Sequence, residues 1–106
     1  MKTVFKIIWV ICIVLCAHSL LFTHLANIQT NKSMYNKELA RDCYIKSCAY
    51  INLSRAYYSI DNDKSEYYKS RSDSLMRENR RYYNVSYESI ASAEKYLKIA
   101  SLGILN

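Results

Sequence analysis

Proline is absent from this 106-residue chain, and glycine occurs once, at Gly103. Strands joined by tight turns draw on both, because glycine supplies positive φ and proline presets the first turn residue. Their scarcity argues against a turn-rich β fold and points to an all-α chain of long helices with few connections. Histidine is nearly as scarce. His18 and His24 are the only two, so nothing beyond residue 24 offers the imidazole on which most nucleophile–base pairs and zinc sites rely. No catalytic, cofactor-binding or metal-binding set is expected, and the chain reads as non-enzymatic. Aliphatic side chains are thin as well. From Thr30 onward only 13 residues are Leu, Ile, Val or Phe, against 13 basic and 9 acidic residues, a net of +4. Such a domain folds with little reserve and leans on an oligomer or a partner.

What the chain does have is concentrated at its start. Lys2 and Lys6 lead into the apolar run Ile7–Phe22, in which ten residues are Ile, Leu, Val or Phe. At roughly −0.3 to −0.6 kcal/mol each on an insertion scale, these total about −4.5 kcal/mol, which His18 and Ser19 do not cancel. Two fates follow. Ala17-His18-Ser19 is a small-x-small site, so residues 1–19 could be a cleavable signal peptide. Extended to Ile28, the same segment rises ~33 Å, enough to cross a ~30 Å hydrocarbon core as a signal-anchor over residues 1–28. The anchor is favoured because cleavage would leave Leu20-Leu21-Phe22 as a new N-terminus. Residues 29–106 then form a small Tyr-rich helical domain. Flanking charges are nearly balanced, and the short N-terminal flank favours a single-pass topology with this domain outside the cytoplasm. The alternative is a secreted or periplasmic protein.

Beyond the leader the pattern is a helical hairpin of two long helices, or three if one is interrupted. Thr30-Asn31-Lys32-Ser33 supplies cap-type residues for a helix over 33–59, with an apolar stripe at Ile45, Ala49, Leu53, Ala56 and Ile60. Residues 60–66 form the turn, with Asp63 and Glu66 spaced as a capping box. A second helix over 64–102 carries Tyr83, Tyr87, Ile90, Ala93, Leu97, Ala100 and Ile104 on one face, and Gly103 stands where a left-handed C-terminal residue belongs. Asn84-Val85-Ser86 is the place where this helix would break. Ala49, Ala56, Ala93 and Ala100 suit close helix–helix approach.

All eleven tyrosines lie beyond residue 34. Adjacent pairs such as Tyr57-Tyr58 and Tyr67-Tyr68 sit ~100° apart on a helix and cannot both face one core, so some are exposed. Tyrosine is a frequent anchor of protein interfaces. The expected interaction surface is Tyr57, Tyr58, Tyr67, Tyr68, Arg77, Arg80, Arg81 and Tyr82. Cations interleaved with rings also suit single-stranded nucleic acid or phospholipid head groups. Glu66, Asp73 and Glu78 halve the local charge, and no nucleic-acid fold motif is present, which disfavours nucleic acid.

Cys12 and Cys16 belong to the leader as small hydrophobes. Cys43 and Cys48, five apart, cannot bridge each other on one helix, but in an oxidising compartment they could cross-link two chains. Asp61-Asn62-Asp63-Lys64-Ser65 opens like a calcium loop, yet its sixth position is Glu66 and its twelfth Ser72, so a connecting turn is the better reading. Glycosylation sequons stand at Asn31, Asn52 and Asn84.

The stretch 52–68 resembles the hinge of a tetratricopeptide repeat at Leu53, Ala56 and Tyr57, and 92–100 is similar to that family's second helix. The turn is about two residues shorter, its glycine is missing and no copy follows at the 34-residue period, so the likeness is one of helical-hairpin physics and implies no site. In layout the chain is similar to small single-pass entry-exclusion, lysis-control and immunity proteins. The functional expectation is a membrane-anchored helical protein acting by contact with another membrane or envelope protein, or with a copy of itself. A secreted helical inhibitor or effector is the alternative.

Overall fold

The structure is a computed structural model describing residues 1–102, helical from Lys2 to Ala100 apart from one connection, with no strand among the described residues. Helix α1 runs Lys2–Tyr57 and helix α2 runs Asn62–Ala100. The expected cap at residues 30–33 does not start a helix. With no proline or glycine to stop it, the leader continues into the hairpin arm. Of the cap-type side chains, Thr30 Oγ1 bonds back within the helix, donating to the Ala26 carbonyl four residues earlier as Asn36 Nδ2 does to that of Lys32, while Ser33 turns to Ser86 of α2. Helix α2 likewise passes through Asn84-Val85-Ser86 unbroken.

The connection is Tyr58–Asp61, closed by bonds from the Ile60 and Asp61 amides to the Tyr57 carbonyl. The N-cap of α2 is Asp61, not Asp63. The Asp61 carbonyl accepts from the Ser65 amide and its carboxylate from the Lys64 amide at 3.2 Å. Asp63 lies in the first turn, where its charge favours the helix N-terminus, but no capping box with Glu66 forms.

The described residues gather into two compact units, Lys32–Glu88 and Met1–Asn31 with the stretch from Ser89. In Lys32–Glu88 the two helices pair antiparallel on small residues, not on the expected apolar stripe. Ser33, Ala40, Ser47 and Ser54 recur every seven residues on α1 and are all buried; Ser65, Ser72, Asn79 and Ser86 do the same on α2. A seven-residue repeat on both helices is the period that keeps one seam facing its partner. Each step of seven along α1 meets a step of seven back along α2. The Oγ atoms of Ser33 and Ser86 lie 2.8 Å apart, and Asn79 Nδ2 donates to the Ala40 carbonyl at 2.6 Å. Ser54 and Ser65 each donate to the other's carbonyl at 2.8 Å. Ser47 Oγ donates to the Ser72 carbonyl at 3.1 Å, leaving the Ser72 hydroxyl proton for Ser47 Oγ at 2.7 Å. A serine side chain reaches the opposite backbone only if the helices approach closely, and only small side chains permit that approach. Among the described residues no buried side-chain polar atom lacks a partner.

The expected stripe therefore points outward. Ile45 is 53 % exposed, Leu53 40 % and Ile60 79 %, and Ala49 and Ala56 are exposed as well. On α2, Tyr83, Tyr87 and Leu97 are exposed, Ile90 and Ala100 half-buried and Ala93 buried; Ile104 and Gly103 lie outside the described residues. The left-handed residue after α2 is Leu102, with φ 57°.

In the other unit, α1 from His18 onward packs antiparallel to the end of α2, with Ala26 and Ala93 buried. His18 Nε2 donates to the Ile99 carbonyl at 2.9 Å, and its ring lies 4.8 Å from that of Phe22. Phe22 in turn meets Tyr96 at 6.1 Å. Residues 1–17 are exposed on every face. One stretch of 18 residues in α1 has a mean hydropathy of 2.4, so α1 is long and apolar enough to cross a membrane.

Candidate interaction surface

Because serines fill the seam, the large side chains are displaced to its flanks and beyond. Tyr50 and Tyr57, seven apart on α1, and Tyr68 on α2 are half-buried beside the seam and stack on one another. The Tyr68 ring lies 5.9 Å from both Tyr50 and Tyr57 and meets Tyr67 edge-on at 5.4 Å. Lys64 Nζ sits 5.1 Å from the Tyr57 ring centre and the Arg71 guanidinium 5.8 Å from that of Tyr50. Each such cation–ring contact at an exposed site adds about 0.5–1 kcal/mol. The result is an aromatic and cationic patch near the turn.

Of the residues expected at an interaction surface, the structure brings Tyr57, Tyr67 and Tyr68 together in this patch. Tyr58 is 75 % exposed on the connection, away from these stacked rings. Arg81 lies over its neighbour Tyr82 at 5.3 Å, while Arg77 and Arg80 are exposed on α2. Tyr50, Lys64 and Arg71 complete the patch. The seven-residue spacing of Tyr50 and Tyr57 is the signal by which the first could have been found.

The two hairpin cysteines are both free thiols in different settings. Cys43 is buried and its thiol donates to Glu78 Oε2 at 3.8 Å. Burial first, and then the Glu78 carboxylate, push this thiol above its ordinary value. Cys43 therefore stays protonated and shielded, and an interchain disulfide through it would require the helices to part. Cys48 is half-buried, and its thiol beside the Tyr44 phenol holds that phenol above its ordinary value. Between these two, Cys48 is the accessible thiol.

The three sequons have a structural origin. The serines of the sequons at Asn31, Asn52 and Asn84 are Ser33, Ser54 and Ser86, all members of the seam. Among the described residues no three His, Cys, Asp or Glu side chains come together as a metal set. The concave surface over the leader consists of grooves between its own side chains, such as the one lined by Trp9, Cys12, Ile13, Cys16, Ala17 and Leu20. No family model, no curated protein and no solved structure matches the chain.

Proposed function

We propose that this chain is a single-pass membrane protein whose helical hairpin, held outside the cytoplasm, binds another membrane or envelope protein. The observation that carries the reading is the uncovered leader: residues 1–17 are exposed on every face and almost wholly apolar from Ile7. A helix apolar all round is at home in a membrane or a large protein core, and the described residues offer it no such core. Retention of the leader is favoured over cleavage by the contacts that follow it. His18 and Phe22 pack on α2, and cutting after Ser19 would remove the His18 bond to Ile99. The partner reading rests on what the seam leaves outside, namely Ile45, Leu53, Ile60 and the tyrosine patch. Aliphatic and aromatic side chains left exposed in groups are characteristic of contact surfaces.

Two measurements test this. Intact mass of the protein from membranes washed with alkaline carbonate should equal that of the full chain. A soluble product lacking residues 1–19 would refute the anchor. Cross-linking in the native host, through a photoreactive residue at Ile45 or Leu53, should capture one membrane or envelope protein; capture of the chain's own copies alone would replace that partner with a homo-oligomer.

A further inference from the structure

We propose that the end of α2, from Tyr96 to Leu102, is itself a membrane-inserting element: it enters the lipid beside α1 and makes the buried part of the protein a helical pair. The inference rests on the anchor reading above and starts from a length. Counted from Ile7, where the apolar run begins, the uncovered part of α1 ends at residue 17 and rises only ~17 Å, against a hydrocarbon core of ~30 Å. The remaining ~13 Å is about nine residues, which carries the hydrocarbon boundary past Phe22 to about Ala26. Phe22 meets Tyr96, and His18 meets Ile99. Everything on α2 beyond Tyr96 then lies at or inside that boundary.

The side chains of this segment suit the position. Leu97 and Leu102 are exposed, as are Leu20 and Leu21 on the neighbouring part of α1. Tyr96 lies about one turn inside that boundary, and its ring is long enough to carry the hydroxyl back toward the interface. Lys95 and Lys98 have stems long enough to lie along apolar surface and bring their ammonium groups to the head-group layer.

The backbone provides the second, independent observation. At any helix end the last four carbonyls lack intrahelical partners and are met by water, side chains or tighter local bonds; in lipid no water is at hand, so protein groups must meet them. Among the described residues, partners are seen for three of the last four in α2, Leu97, Lys98 and Ile99. The Leu97 carbonyl accepts from the Ser101 amide, that of Lys98 from Ser101 Oγ at 3.1 Å, and that of Ile99 from both the Leu102 amide and His18 Nε2. His18, the polar interruption of the leader, is thus the group that seals the end of α2 against lipid.

The test uses the full chain reconstituted in phosphatidylcholine–phosphatidylglycerol vesicles whose acyl chains are brominated. Native Trp9, the only tryptophan, reports insertion of α1 and should be quenched. With Trp9→Phe as background, Leu102→Trp and Leu97→Trp should each be quenched and blue-shifted, while Tyr58→Trp on the connection should be neither. Adding His18→Ala should shift Leu102→Trp toward the red and reduce its quenching, and His18→Gln, which keeps an amide donor for Ile99, should restore both. Trp9 quenched with Leu97→Trp and Leu102→Trp both as red and unquenched as Tyr58→Trp would overturn this inference and leave the anchor standing. Trp9 unquenched would overturn both.

Discussion

If the hairpin is held by a seam of hydrogen-bonded serines, the residue that strengthens an ordinary helical core should break this one. Ser47→Leu is the sharpest case. Ser47 is buried, and its hydroxyl contacts both the carbonyl and the hydroxyl of Ser72. Forcing a leucine into a close-packed interface costs about 1–3 kcal/mol in strain. Losing the bonds and leaving the Ser72 hydroxyl without its partner adds about 1–3 kcal/mol. The expected loss is about 3–5 kcal/mol, against a total of roughly 5–15 kcal/mol for a whole protein of ordinary stability. Ser47→Ala introduces no clash and should cost only the bond loss, about 1–3 kcal/mol, and Ser47→Ala with Ser72→Ala should cost less than the sum of the two single changes, because neither hydroxyl is then left unpaired. Ile45→Ser, two residues away but pointing outward, should lie within about 0.5 kcal/mol of the parent. The assay is urea denaturation in detergent micelles, followed by far-UV ellipticity. A Ser47→Leu protein as stable as the parent, or an Ile45→Ser protein that loses more than Ser47→Leu, would refute the serine seam and reinstate the aliphatic stripe as the core.

Three further outcomes are expected. Under non-denaturing conditions a maleimide should label Cys48 well before Cys43, and equal rates would mean that Cys43 is not shielded. Since the folded-state pKa of Cys43 lies above its unfolded value, the folded chain holds that proton more tightly, and stability should fall as pH rises through the ordinary thiol range; Cys43→Ala should remove that part of the loss, as measured by urea midpoints across pH. Asp61→Ala should cost about 1 kcal/mol by removing the N-cap, whereas Asp63→Ala, which loses only a favourable charge in the first turn, should cost no more than about half that; the reverse order in the same denaturation assay would place the cap at Asp63.

The gross fold follows from absences that are plain in the sequence. Without proline, and with a single glycine at residue 103, nothing stops α1 before Tyr57 or α2 before Ala100. The position of the turn near residue 60 was legible too. The packing was not, because hydrophobic periodicity finds core faces only where cores are apolar. Ile45, Leu53 and Ile60 repeat at helical spacing and are exposed; Ser33, Ser47 and Ser54 repeat at seven and are buried, yet serine carries no weight on a hydropathy scale. The repeat itself was visible at both Ser33–Ser54 and Ser65–Ser86, in sequence terms as regular as any heptad. The cap was misplaced for a related reason. Asp61 and Asp63 are equal candidates by residue type, and only the tightness of the connection decides between them. The tyrosine patch was half legible: Tyr57, Tyr67 and Tyr68 stand out as neighbours or near neighbours in sequence, whereas Tyr50 joins them only through the same seven-residue step.

A seam built from repeats of seven carries a hazard of its own, because sliding one arm past the other by seven residues would again set small residues against small residues. Asn79 resolves the ambiguity. Among the eight residues of the two seven-residue repeats it is the one large amide, and it lies opposite Ala40, the one of the α1 four without a hydroxyl. A slip of seven in either direction would set Asn79 against Ser33 or Ser47, where the amide meets a hydroxyl in place of open space, and would leave a serine facing Ala40. A single polar residue at a repeat position is known to fix alignment in this way. The connection of four residues between the helices reinforces it, being too short to absorb a shift of two turns. Exchanging the partners, with Ala40→Asn and Asn79→Ala together, should keep the same alignment, while moving the asparagine alone to position 72 or 86 should favour a displaced hairpin.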